Sequence, residues 1–195
     1  WPHDIRRSDS GMIGWSSLPG IAINPLTEPV PQYPILPAIM VSAEKTVNQF
    51  GRNSAVFLQA TAELAATSLP GPAESTSASA SVQLIDLDTG ERAPAVVVNQ
   101  ERADRFRPAH LLTVLPYPGH PLRSDARYAV MVFDDVTTIG GSNLEPAPAL
   151  AQLRAPFDPA ATMAVSMTSA QHAALSAQLA DVDAAISAHT THATG

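Results

Sequence analysis

Seven prolines fall within the first 37 residues, at Pro2, Pro19, Pro25, Pro29, Pro31, Pro34 and Pro37. Proline has no backbone N–H and a fixed φ, so neither a continuous helix nor a central strand can run through this stretch. The backbone there is confined to extended, wrapping conformations. Apolar residues are interleaved with the prolines, among them Ile21, Ile23, Leu26, Tyr33, Ile35 and Leu36, and they favour burial. Residues 1–37 therefore read as an ordered Pro-rich arm lying on a body, with Trp1 and Trp15 as its anchors.

Beyond the arm the pattern changes to short apolar runs bounded by turn residues. Candidate strands are Ile39 to Ser42, Ala55 to Thr61, Ser81 to Leu87, Ala95 to Gln100, Leu111 to Leu115 and Tyr128 to Phe133. Leu87-Asp88-Thr89-Gly90-Glu91, between two apolar runs, predicts a hairpin, and further reversals are marked by Pro116-Tyr117-Pro118-Gly119 and Gly140-Gly141-Ser142-Asn143. Strands recurring this often, with helix-length segments between few of them, predict an antiparallel β-sandwich over residues 38–157. Tyr128, Val130 and Val132 are expected on a central strand. Ala62 to Leu69 is a possible helical exception, and the Ser/Ala run Ser75 to Ser81 reads as an exposed loop without chemistry.

Residues 158–195 read as a helical segment and linker toward a downstream domain. Before them, Glu145 to Leu153 suggests a Pro-initiated helical turn. A longer helix is predicted from Ser169 to Ala188. Thr168 and Gln171 form a capping-box signature, and Leu175, Leu179, Val182 and Ile186 recur on one face. The chain begins at Trp1, with no leader-like segment ahead of it, and is expected to be a processed or excised piece.

Composition limits the partners. A net charge of −7, a single lysine at Lys45 and scattered arginines argue against a nucleic-acid surface, which depends on clustered cations. No apolar run approaches the ~20 residues needed to cross a bilayer. The absence of cysteine removes disulfides, thiol nucleophiles and Cys-based zinc sites. The 45% hydrophobic content nevertheless supplies a core, so the low charge does not imply disorder.

The search for chemistry finds no catalytic set. Gly14-Trp15-Ser16-Ser17-Leu18-Pro19-Gly20 approaches a nucleophile elbow but has Leu at the second glycine position and sits in the Pro-rich arm. The six histidines, His3, His110, His120, His172, His189 and His192, have no metal-like or catalytic spacing, and His120 and His172 are expected to face solvent. Gly140-Gly141 lacks the Lys-Ser/Thr of a phosphate loop. Two acidic pairs, Asp86 with Asp88 and Asp134 with Asp135, are the candidates for calcium, the one ion or cofactor considered; they lack the regularity of an EF-hand, and solvated turns are the preferred reading.

The order of segments carries a family resemblance. Trp1-Pro2-His3-Asp4, Leu18-Pro19-Gly20 and Asn24-Pro25-Leu26 precede the strand Ala55-Val56-Phe57-Leu58 and the hairpin Val82 to Gly90. Leu111-Leu112-Thr113-Val114-Leu115-Pro116 and then Pro121-Leu122-Arg123-Ser124-Asp125-Ala126-Arg127-Tyr128-Ala129-Val130-Met131-Val132 follow. The succession resembles the immunoglobulin-like N-terminal domains of secreted or surface-anchored bacterial lipases and esterases, over about residues 1–155. The Pro-Gly-His insertion at 118–120 and the Ser/Ala-rich loop depart from the pattern. The resemblance implies a non-catalytic Ig-like accessory domain, exported or at the cell surface, which positions or shields an α/β-hydrolase domain downstream. The catalytic residues would lie in that domain, and no position here matches them. A stand-alone module binding glycan or protein is the alternative; an enzyme of unrecognised type is a third.

Overall fold

The computed structural model describes residues 39, 42–43, 45–47, 50–104, 107–159 and 167–189. The predicted arm, with Trp1 and Trp15, lies outside them. The chain divides into two compact units, Pro2–Gly51 and Arg52–Gly195.

In the first unit Ile39, Ser42, Ala43, Lys45 and Thr46 are helical, where the apolar run Ile39 to Ser42 predicted a strand. The Val47 N–H donates to the Ala43 carbonyl at 2.7 Å, and the Thr46 hydroxyl donates to the Ser42 carbonyl at 3.2 Å. The strong helix formers Ala43, Glu44 and Lys45 extend the local preference past the β-branched residues before them.

The second unit is sheet-rich. Its strands are β1 (Val56–Gln59), β2 (Val82–Asp86), β3 (Arg92–Ala93), β4 (Ala95–Gln100), β5 (Leu111–Pro116) and β6 (Tyr128–Val132), followed by helices α1 (Pro148–Arg154) and α2 (Ser169–His189). They form two small antiparallel sheets, ordered β1-β5-β4 and β3-β2-β6. Pro94 has no ladder donor and interrupts the run between β3 and β4, which belong to different sheets. β6 is an edge strand; the centre of its sheet is β2, so the expectation of a central position for Tyr128, Val130 and Val132 is corrected.

Side-chain alternation assigns the two faces of β2 to two apolar clusters. Val82 and Leu84 join Leu64, Ala95, Leu112, Val114 and Val136, a buried set drawn from both sheets. Ile85, in β2, joins Leu87 and Met131 in a second set, against which Val182, Ala185 and Ile186 of α2 pack. Every residue of β2 is consequently buried. α2 begins with the predicted capping box: the Gln171 N–H donates to the Thr168 hydroxyl at 3.2 Å, and the Thr168 N–H donates to the Gln171 side chain at 2.9 Å.

The segment between β1 and β2 differs from its sequence reading. Within Ala62 to Leu69 only the single 3-10 turn Ala66–Ser68 forms, because the backbone on its N-terminal side bridges to another segment: Leu64 pairs with Thr138, and the Ala65 N–H donates to the Thr137 carbonyl. The Ser/Ala run is fastened to the core at Ser75 and Ala80, both buried. The Ser75 hydroxyl donates to the Pro72 carbonyl at 2.8 Å and accepts the Ala95 N–H at 2.9 Å. The buried Gln83 amide donates to the Ala78 and Ala80 carbonyls, 3.0 Å each, and its oxygen accepts Arg92 Nε at 2.7 Å. Ser75→Ala strands the Ala95 N–H and is expected to lower unfolding free energy by about 1–3 kcal/mol, read from the urea midpoint.

Candidate functional site

A connected group of charged side chains is built on the turn that follows β2. The chain reverses over Asp86 to Glu91: the Asp86 N–H donates to the Glu91 carbonyl at 2.9 Å and the Gly90 N–H to the Asp86 carbonyl at 2.8 Å. Gly90 adopts φ +76°, a conformation open to glycine without strain. One oxygen of the Asp86 carboxylate accepts the N–H groups of Asp88 and Thr89 at 2.9 and 3.2 Å, closing an Asx turn.

The other oxygen accepts Arg123 Nε at 2.7 Å. The Tyr128 hydroxyl accepts the Arg123 backbone N–H at 3.1 Å and lies near enough to favour the ionised carboxylate. Asp86 is 2% exposed. The Arg123 guanidinium, opposed by burial and aided by the two turn N–H groups and Tyr128, lowers its pKa from 3.8 to about 2.

The charges continue outward. Arg123 lies 3.7 Å from Asp88, and Arg127 lies 3.4 Å from the same side chain. Arg127 also binds Asp181 on α2. A line of alternating charge thus runs Asp86, Arg123, Asp88, Arg127, Asp181, from the buried end of the central strand to the helix covering it. Sequence reading selected Asp86 and Asp88 as a pair; the structure places both and supplies their arginines, which come from the Pro121–Tyr128 link. It also corrects the expectation of a solvated turn at Asp86. In this arrangement both carboxylates serve arginines, and a cation at Asp86 would have to displace Arg123.

Comparison with protein-family models, curated proteins and solved structures finds no match.

Asp134 and Asp135 are exposed in the turn after β6 and are not brought to Asp86. Asp135 borders an open depression of about 450 Å³, shared with Glu74, Ser68, Ser77, Ser79 and Ser81. Glu74 accepts the Gly71 N–H at 2.9 Å there, and Ser81 donates to the Ser68 carbonyl at 2.6 Å. Among the described residues no cluster of three or more His, Asp or Glu side chains is arranged to hold a metal ion. Nor is any helix among them long and apolar enough to cross a membrane.

The histidines separate into different environments. His120 is exposed beside Tyr117, with ring centroids 5.9 Å apart. His110 adopts φ +58°, and its buried Nδ1 and the buried Asn99 Oδ1 find no hydrogen-bond partner among the described residues. His172, expected to face solvent, is 6% exposed and packed between α1 and α2. His172 stands one turn ahead of the stripe Leu175, Leu179, Val182 and Ile186, but only the α1 carbonyl that meets it distinguishes it from a surface residue. His3 and His192 lie outside the described residues.

Proposed function

We propose that this chain is a non-catalytic accessory module of an exported bacterial lipase- or esterase-type hydrolase: an Ig-like β-sandwich that holds a neighbouring catalytic domain in position. The observation that carries the reading is the unbroken line of paired charges from Asp86 to Asp181. It couples the central strand, the Pro121–Tyr128 link and α2, while the Ile85 cluster supplies the apolar half of the same attachment. A module whose task is orientation needs such a stiff mount for its terminal helix. The apolar cluster shared by both sheets supports the sandwich, and the succession Leu112 to Pro116, Pro121-Leu122 and Tyr128 to Val132 supports the lipase and esterase link.

The deciding experiment compares the natural gene product with residues 1–195 on a short-chain aryl ester. Hydrolysis by the longer protein and none by residues 1–195 is the expected result. An inactive natural product ending near Gly195 would remove the hydrolase link. It would favour a stand-alone binding module, a reading to which one observation lends weight. Phe57 and Val98 both lie opposite Thr113 on the β1-β5-β4 sheet and are 37% and 50% exposed, an apolar row that a partner surface could cover.

A further inference from the structure

We propose that the outer edge of β6 pairs with β6 of a second copy of this chain, joining two β3-β2-β6 sheets antiparallel about Val130. Which groups of β6 point outward follows from its pairing with β2. At the two ends of that ladder the Leu87 N–H donates to the Arg127 carbonyl and the Phe133 N–H to the Ser81 carbonyl, 2.9 Å each. Hydrogen-bonded pairs alternate along an antiparallel ladder, so Ala129 and Met131 complete the set that faces β2. Tyr128, Val130 and Val132 therefore aim their N–H and carbonyl groups away from β2, and no strand among the described residues pairs with them there.

Other edges of the two sheets are guarded. β3 is two residues long and carries Arg92. On β4 the Ser75 hydroxyl takes the Ala95 N–H, and the Asn99 amide donates to the Leu64 carbonyl. β6 has none of the usual protections, since its five residues read Tyr-Ala-Val-Met-Val, without proline, glycine or charge. A second β6 satisfies this edge. With Val130 on a twofold axis, Tyr128 faces Val132 of the second copy, Ala129 faces Met131, and every outward N–H meets an outward carbonyl. Any other register of the pair leaves some of these groups unmatched.

Side chains and charges agree with the same alignment. Tyr128, Val130 and Val132 pack on the cluster of Leu84 and Val136, while Ala129 and Met131 belong to the cluster of Ile85. Pairing about Val130 sets each apolar layer beside its own counterpart. Beyond the strand, Arg127 comes opposite Phe133 of the second copy and next to the exposed turn of Asp134 and Asp135. The link over 121–128 contributes Arg123, Asp125 and Arg127, a net positive charge, against the two negatives of that turn. By symmetry the match occurs at both ends. The inference concerns β6 alone and stands whether or not the chain serves a hydrolase.

The test uses the full chain. Sedimentation equilibrium from about 10 µM to about 1 mM is expected to show the mass rising toward that of a dimer, as suits a small interface built on one strand. Over the same range amide hydrogen exchange should slow by about tenfold at Tyr128, Val130 and Val132, while Ala129 and Met131, bonded to β2, stay protected throughout. Val130→Pro removes the N–H on the axis without touching the ladder to β2, and should stay monomeric. A mass that remains monomeric at about 1 mM overturns the inference, and so does a folded Val130→Pro that still dimerises. A dimer in which those three amides exchange no more slowly uses another surface and has the same consequence. Protection of the three that ignores concentration would place their partner within one chain and also overturns it. Should Val130→Pro fail to fold, the exchange pattern of the unaltered chain decides.

Discussion

Replacing Asp86 with alanine is expected to lower the unfolding free energy by about 2–3 kcal/mol, toward the low end for a broken buried ion pair because half-exposed Arg123 can rehydrate. The loss has several parts. The Asp88 and Thr89 N–H groups lose their acceptor, Arg123 loses its carboxylate, and the turn loses its side-chain lock. Asp86→Asn separates charge from shape, since its amide oxygen can still close the turn. The folded-state pKa of about 2 lies below the ordinary 3.8, so the native state favours the ionised form. That contribution is fully present above about pH 4 and is lost as pH falls through about 2. Screening on the exposed side of Arg123 reduces it to about 1–2 kcal/mol. Urea titrations across this window should show an acid-dependent slope in the native chain that flattens in Asp86→Asn. An equal slope in both would mean that another carboxyl is responsible.

Leu112→Ala is expected to have the largest effect, about 2–5 kcal/mol, because its side chain is 2% exposed in the cluster shared by both sheets and its removal leaves a cavity. Leu112 pairs with Leu58 on one side and Asn99 on the other, so its neighbours are fixed by strand register and cannot readily close the space. Leu115, on the opposite face of β5, is only half-buried; Leu115→Ala should cost about 1 kcal/mol. Equal thermal shifts for the two variants would contradict the assignment of faces.

The elements that sequence could reveal are those whose pattern is local. The β2 hairpin was legible because Asp88-Thr89-Gly90 can reverse a chain with little outside help, and α2 because its capping box and apolar stripe lie within one segment. What escaped depends on distant partners. The Ser75 hydroxyl looks like loop polarity until the Ala95 N–H is brought to it, and His172 looks like surface until α1 supplies the Gln152 carbonyl. The same limit applied to the charges: the Asp86 and Asp88 pair was visible at its spacing, but its ordering by Arg123 and Arg127 is set by a link that returns from 35 residues or more away. The edge position of β6 was hidden for another reason, since its apolar alternation matches that of a central strand and only pairing distinguishes the two.

A strand with apolar side chains toward both neighbours has a particular hazard. Sliding β2 by one residue against β6 would exchange Val82 and Leu84 for Gln83 and Ile85 on each face, and the apolar residues alone would resist this only weakly. The two polar members of the strand make the choice unambiguous. After such a slip Gln83 would leave the Ala78 and Ala80 carbonyls and Arg92, and Asp86 would turn its charge away from Arg123 toward greasy surroundings. Gln83 and Asp86 thus act as keys cut for a single alignment, so a double exchange of both for apolar residues should yield a chain that still collapses but pairs its strands in more than one way.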